Sequence, residues 1–209
     1  MIKITLPDES VKEFENGVTP YEIAKSISEG LARNVLAAKV NGAIVALNYA
    51  ISEDATVKLL TWNDAEGKEV FWHSSAHLMA AAIKKLYPTA KLGIGPAIEN
   101  GFYYDIDFMD NTISSDDFPA IEAKMLEIAQ SKAQYVRKEV SKKEALDYFT
   151  SIGNEYKVEL INDLEDGTIT FYDTADFVDL CRGPHLFDTA SIKAIKLLNT
   201  AGAYWRGDE

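Results

Sequence analysis

The chain has 209 residues, of which 47% are hydrophobic, 11% aromatic and 26% charged. That suits one large or two modest globular domains and excludes disordered, collagen-like and coiled-coil classes. A net charge of −12, from 21 basic and 33 acidic side chains, argues against a chain whose main task is gripping a phosphate backbone. Residues 1–62 hold 6 basic and 8 acidic side chains, so most of the acidity falls in the remainder. A single cysteine leaves no internal disulfide, so a reducing compartment is expected. No signal peptide opens the chain and no apolar run reaches the ~20 residues of a membrane span, which points to a soluble, cytoplasmic protein without a membrane partner.

In chain order, Ile2 to Leu6 alternates with period two, and Val11 to Phe14 is its partner across a polar turn. Thr19 followed by Pro20, with Glu22 three residues after Thr19, starts a helix through a capping box. Leu36–Val40 and Ala43–Leu47 flank Asn41-Gly42, a tight hairpin signal, and Val57–Leu60 closes the unit. This order predicts a small β-grasp domain over residues 1–62. The polar run from Asp64 to Lys68 reads as a linker, and a second domain is expected over 63–209.

That second domain opens with a helix from about Glu69 to Leu86, stopped by Pro88. Gly93-Ile94-Gly95-Pro96 and an aromatic strand from Phe102 to Ile106 follow. Capping boxes at Ser114/Asp117 and Ser141/Glu144 predict two more helices. Strands are expected at Ile169–Tyr172, Phe177–Leu180, Ile192–Leu198 and Ala203–Trp205. The class is α+β.

All three histidines and the sole cysteine fall in two short signatures, His73-Ser74-Ser75-Ala76-His77 and Cys181-Arg182-Gly183-Pro184-His185. On the first helix, Phe71, Ser75, Leu78, Met79, Ala82, Ile83 and Leu86 form one mostly apolar stripe. His73 and His77 project opposite it beside Ala80, Ala81 and Lys84, whose small members would leave room for a ligand. Period two along the later strand points Phe177, Asp179 and Cys181 the same way. The four His and Cys side chains are of types zinc favours, yet a thiol nucleophile or a metal-free acid–base site fits the same residues.

Several collinear motifs carry a resemblance. They are His73–Leu78, Ile94-Gly95-Pro96, Asn100–Asp105, Tyr156-Lys157, Asp179–His185 and Ala201–Gly207. Together they resemble the N-terminal half of bacterial threonyl-tRNA synthetase: a TGS domain, then an editing domain. Ser75 stands where many relatives carry cysteine, on the apolar side of the helix. The class II catalytic and anticodon-binding domains would follow Glu209, so aminoacylation is not expected of this chain.

The resemblance implies proofreading. Serine lacks one methyl of threonine, a difference worth only about 1–3 kcal/mol in a pocket. Seryl-tRNA(Thr) is therefore made in error and hydrolysed at a second site. Implied roles are water activation by His73 and oxyanion or water stabilisation by Lys157. His77, Cys181 and His185 would contact the seryl group or terminal adenosine, Tyr104 the 3′ end, and Asp179 the seryl ammonium. The expected partner is the acceptor end of tRNA(Thr) carrying serine, bound weakly by this chain alone, with no role for DNA.

No metal is expected in this site. The alternative is a zinc-dependent, alanyl-type deacylase with zinc at His73, His77, Cys181 and His185. In full-length family members zinc, ATP and magnesium belong to the catalytic domain. Those members are homodimers through contacts mostly in that domain, which leaves a monomer open for this chain. A reading from another class is a non-catalytic TGS-containing binding module, since TGS domains also occur in regulatory GTPases and stringent-response enzymes.

Overall fold

The computed structural model describes residues 1–202 and 205. The chain forms two compact units, Met1–Trp72 with Pro184–Phe187, and His73–Gly183 with Asp188–Glu209.

In the first unit, β1 (Ile2–Thr5) pairs antiparallel with β2 (Val11–Phe14). Thr19 caps α1 (Pro20–Ile27) through the expected box with Glu22. A short helix α2 (Glu29–Asn34), capped by Ser28, follows it; the sequence reading did not anticipate it. Strands β3 (Ala37–Val40) and β4 (Ala43–Val45) form the hairpin at Asn41-Gly42, where both turn residues have positive φ, 48° and 87°. That geometry is what asparagine and glycine tolerate and most residues do not. β5 (Ala55–Leu60) lies between β1 and β3, parallel to the first and antiparallel to the second, giving the order β2-β1-β5-β3-β4. Ile2, Ile4, Ile23, Ala38, Val57 and their neighbours make the core. This is a mixed sheet with a helix on one face, a β-grasp arrangement.

The run read as a linker is not one. Helix α3 (Ala65–Leu86) begins four residues before the expected start at Glu69. Its first turn is polar because those side chains have partners. Asp64 accepts the Thr61 N–H at 2.9 Å and pairs with Lys58 at 2.6 Å, and Glu66 pairs with Lys39 at 2.9 Å. Gly67 lies so close to Thr61 that a Cβ would meet its carbonyl oxygen at 2.3 Å.

In the second unit the expected aromatic strand is broken. Only β6 (Lys91–Leu92), β7 (Ala97–Ile98), β8 (Gly101–Phe102) and β9 (Ile106–Asp107) form, as the pairs β6-β9 and β7-β8. Tyr103 to Asp105 loops between them, with Tyr103 47% exposed and Tyr104 turned inward.

Helix α4 (Phe118–Gln130) buries Phe118, Ile121, Met125 and Ile128. An unexpected edge strand β10 (Val136–Glu139) precedes α5 (Lys142–Ser151), which carries its Ser141/Glu144 box. An unexpected helix α6 (Glu155–Asn162) follows. Strands β11 (Thr170–Thr174) and β12 (Phe177–Leu180) complete an antiparallel sheet in the order β10-β11-β12. Residues 192–198 form no strand; Ile192 is buried but Leu198 is 82% exposed. Of the strand expected over Ala203–Trp205, the first two residues lie outside the described residues. No described helix is long and apolar enough to cross a membrane.

Gly95 packs against the face of Tyr104, where a Cβ would lie 2.2 Å from a ring carbon. Gly95→Ala is expected to displace Tyr104 and cost about 1–3 kcal/mol by overpacking. Urea unfolding of the variant beside the parent measures it.

Candidate functional site

The site grows from α3. From Ser74 to Ile83 every residue of this helix is buried. The room for a ligand expected beside Ala80 and Ala81 is therefore not open to solvent. Those alanines are fully covered, and their small size lets other elements approach the helix backbone. His77 is 2% exposed, while His73, one turn earlier, is half-buried. The two rings lie edge to face with centroids 5.1 Å apart. The Tyr135 hydroxyl fixes this turn by donating to the Ser74 carbonyl at 2.8 Å.

The second contribution comes from β12. Phe177 and Asp179 are buried while Val178 and Leu180 are less so, the alternation expected of a strand with one covered face. Beyond the strand end, the Cys181 N–H bonds the Thr170 carbonyl at 3.1 Å, and the Thr170 hydroxyl donates back to the Cys181 carbonyl. This clamp aims the Cys181 Sγ at His73 Nε2, 3.3 Å away. The Gly183 N–H donates to the same sulfur at 3.2 Å. Gly183 has φ 69°, and a Cβ there would sit 2.1 Å from the Tyr172 hydroxyl, so a side chain at this turn is doubly disfavoured.

The third contribution comes from α6, where Lys157 is buried rather than solvated. Lys157 Nζ lies 2.6 Å from Asp179 Oδ1, and both side chains are only 3% exposed. Asp179 Oδ1 also accepts the Leu180 N–H at 2.8 Å. The other oxygen takes the Tyr104 hydroxyl and lies 3.6 Å from His77 Nε2. Lys157 Nζ in turn donates to Tyr104 at 3.4 Å. Asp179, expected to meet a substrate ammonium, already takes Lys157, the Leu180 N–H and the Tyr104 hydroxyl, with His77 alongside.

Six of the seven residues expected from sequence, His73, His77, Tyr104, Lys157, Asp179 and Cys181, are thereby joined by contact within the second unit. His185 is fully buried in the segment that groups with the first unit. What sequence reasoning missed is how α6 is held. Gly153, with φ 67°, ends α5, and Asn154 then caps α6 while donating from Nδ2 to the Leu92 carbonyl at 3.1 Å. The Gly-Asn pair was the readable signal, a stop followed by a start.

The electrostatics follow from burial. Desolvation lowers the His73 imidazole below its usual value, against the opposing pull of Asp179. The same cause takes His77 down to about 3. Burial, then the Asp179 charge, pushes the Cys181 thiol up to about 12. For Asp179, burial alone would raise the carboxyl, but Lys157, His77 and Tyr104 outweigh it and hold it below the usual range. At neutral pH the group is therefore two neutral imidazoles, a protonated thiol and a carboxylate paired with an ammonium. His73, His77 and Cys181 also offer three metal-ligand atoms within 4.8 Å of one another.

Comparison with known proteins adds what the chain is similar to. The TGS domain family matches residues 2–61. The threonyl and alanyl tRNA synthetase second additional domain matches residues 169–209, which include Asp179, Cys181 and His185. The chain matches, end to end, the N-terminal third of bacterial threonine–tRNA ligases. The ligase of Cytophaga hutchinsonii is 63% identical over 209 residues, covering 100% of this chain and 32% of that protein. Those of Parabacteroides distasonis and Flavobacterium psychrophilum are 59% and 56% identical with the same coverage. The chain thus spans about a third, rather than the expected half, of the curated relatives' length.

Two outcomes follow. Lys157→Met leaves the Asp179 carboxylate buried without its cation and is expected to destabilise the second unit by about 3–5 kcal/mol in urea unfolding. The His77 imidazole binds its proton far more weakly folded than unfolded. Its contribution to stability is therefore complete above pH 6.5 and is lost as pH falls towards 3. Unfolding midpoints between pH 7 and pH 4 should drop with a slope of up to about 1.4 kcal/mol per pH unit from this group, and His77→Gln should flatten it.

Proposed function

We propose that residues 63–209 form an editing region that hydrolyses seryl-tRNA(Thr) to serine and tRNA(Thr), with residues 1–62 as an accompanying TGS domain. The observation that carries this reading is the convergence of a neutral, half-buried imidazole, His73, with a buried Lys157–Asp179–Tyr104 network. Ester hydrolysis needs a proton acceptor for water and positive or donor groups for the developing oxyanion. His73 supplies the first, since burial keeps it unprotonated at neutral pH. Lys157, fixed by Asp179 and Tyr104, supplies the second. A whole-length match to threonine–tRNA ligases supports the acceptor end of tRNA(Thr) as the partner.

Water, rather than a Cys181 acyl-enzyme, is the nucleophile in this scheme. A thiol raised to about 12 has almost no thiolate at pH 7. His77 stays neutral and orients beside Asp179. Cys181 contacts the seryl group or terminal adenosine in this scheme. Correctly charged tRNA escapes because the threonine methyl displaces the water or clashes.

A zinc-dependent deacylase is the second reading, because His73, His77 and Cys181 are donors of the right type and His185 follows Cys181 at Cys-x3-His spacing. Zinc held there would polarise the attacking water. We favour the metal-free scheme on electrostatic grounds. Binding zinc would cost the Cys181 thiol its proton, and burial together with the Asp179 charge pushes that thiol up to about 12.

Single-turnover hydrolysis of seryl- and threonyl-tRNA(Thr) by this chain, with and without chelator, tests the proposal. Serine-selective release that survives chelator and falls at least 100-fold, on the order of a lost general base, in His73→Ala is expected. Its rate should stay level from pH 8 to 6.5 and fall only below, as His73 takes a proton. Chelator-sensitive release would establish the zinc reading, and no release from either ester would favour a non-catalytic binding module.

A further inference from the structure

We infer that Trp205 is a positioning residue for Lys157 and Tyr104, a strap across the seam between the two segments that deliver them. The inference rests on the hydrolytic reading above only for its kinetic consequence. One segment is α6, and the other is the glycine-punctuated stretch from Lys91 to Asp107. Three polar ties close the seam: Asn154 Nδ2 to the Leu92 carbonyl at 3.1 Å, Lys91 to Glu155 at 2.7 Å, and the Tyr156 hydroxyl to Asp107 at 2.8 Å.

Trp205 lies over this seam. Its indole N–H donates to Glu159 at 2.8 Å, and its ring packs on Tyr156 with centroids 4.9 Å apart. On the other side it rests on Gly93, where a Cβ would lie 2.8 Å from a ring carbon. The indole therefore touches both segments at once, and Gly93 is glycine because the ring occupies the space of a side chain.

The helix geometry shows what the strap controls. Tyr156 and Glu159 are three residues apart and share one face of α6, whereas Lys157 leaves on another. That outer face is held by Trp205, and the inner one delivers Lys157 to Asp179 at 2.6 Å. In the other segment the Gly93 N–H bonds the Asp105 carbonyl at 2.8 Å, and the adjacent Tyr104 hydroxyl reaches the same carboxylate. Asp179 is thus approached from two segments that three polar ties join and the indole of Trp205 braces from outside. Among the described residues, the Trp205 contacts given above are with Tyr156, Glu159 and Gly93 and not with the reacting groups.

Two readouts test this in Trp205→Ala and Trp205→Phe, with folding checked by circular dichroism. The first is the single-turnover rate constant for seryl-tRNA(Thr) hydrolysis and the tRNA concentration giving half the maximal rate. The second, independent of activity, is acetylation of Lys157 by acetic anhydride, followed by mass spectrometry against exposed Lys25. Trp205→Ala should lower the rate constant about tenfold with the half-saturating concentration unchanged, as misplacement of a fixed group does. It should also raise Lys157 labelling several-fold. Trp205→Phe keeps the ring but not the N–H, so both effects should be intermediate, and it carries the test should the alanine variant unfold. Lys157 labelling at the parent rate in both variants overturns the inference, whatever the hydrolysis does. If the parent hydrolyses neither ester, the functional reading fails and labelling alone decides whether the strap exists.

Discussion

The second unit depends on one buried ion pair, Lys157 with Asp179. Removing an ammonium and a carboxylate from water costs several kcal/mol per ion, and their mutual attraction compensates only when the remaining hydrogen-bonding capacity is satisfied. Here three donors satisfy it, with an imidazole beside them. The carboxylate takes Lys157, the Leu180 N–H and the Tyr104 hydroxyl, with His77 alongside. Each partner comes from a different stretch of chain: α6, β12 itself, the 91–107 segment and α3. A pair that is expensive to bury thereby fixes the relative placement of elements far apart in sequence, which an apolar contact of equal size would do with less directional precision.

The same arrangement determines what chemistry the neighbouring groups can perform. A carboxylate close to imidazoles ordinarily favours their protonation, and that would leave no base at neutral pH. Desolvation wins at both histidines: it outweighs the pull of Asp179, and the Lys157 charge acts in the same direction as burial. The thiol is kept protonated for a related reason, burial beside a carboxylate. The resulting site holds a neutral acceptor and a fixed cation close together without their neutralising each other.

Much of this was legible in the sequence, for physical reasons that can be named. The capping boxes at Thr19/Glu22 and Ser141/Glu144 and the Asn41-Gly42 hairpin read directly, because their chemistry is local. The two His/Cys signatures read because rare side chains at fixed spacing have few structural uses. The helical projection of α3 failed because it assumes one solvent face, and a helix buried all round offers no such contrast. The aromatic stretch 102–106 misled because strand propensity cannot anticipate a break between Phe102 and Ile106. Lys157 was placed by resemblance alone; nothing in the residues around it distinguishes a buried lysine from an exposed one. The ion pair of Asp179 was not legible because its cation lies 22 residues away on a helix that the pattern did not reveal.

A double-mutant cycle on Lys157→Met and Asp179→Asn, read as the seryl-tRNA(Thr) hydrolysis rate, tests the organising role of this pair most directly. The account predicts strong non-additivity, with the double variant no slower than the slower single one, because either change already dissolves the pair. Additive losses would mean that the two residues act independently, and would contradict the account.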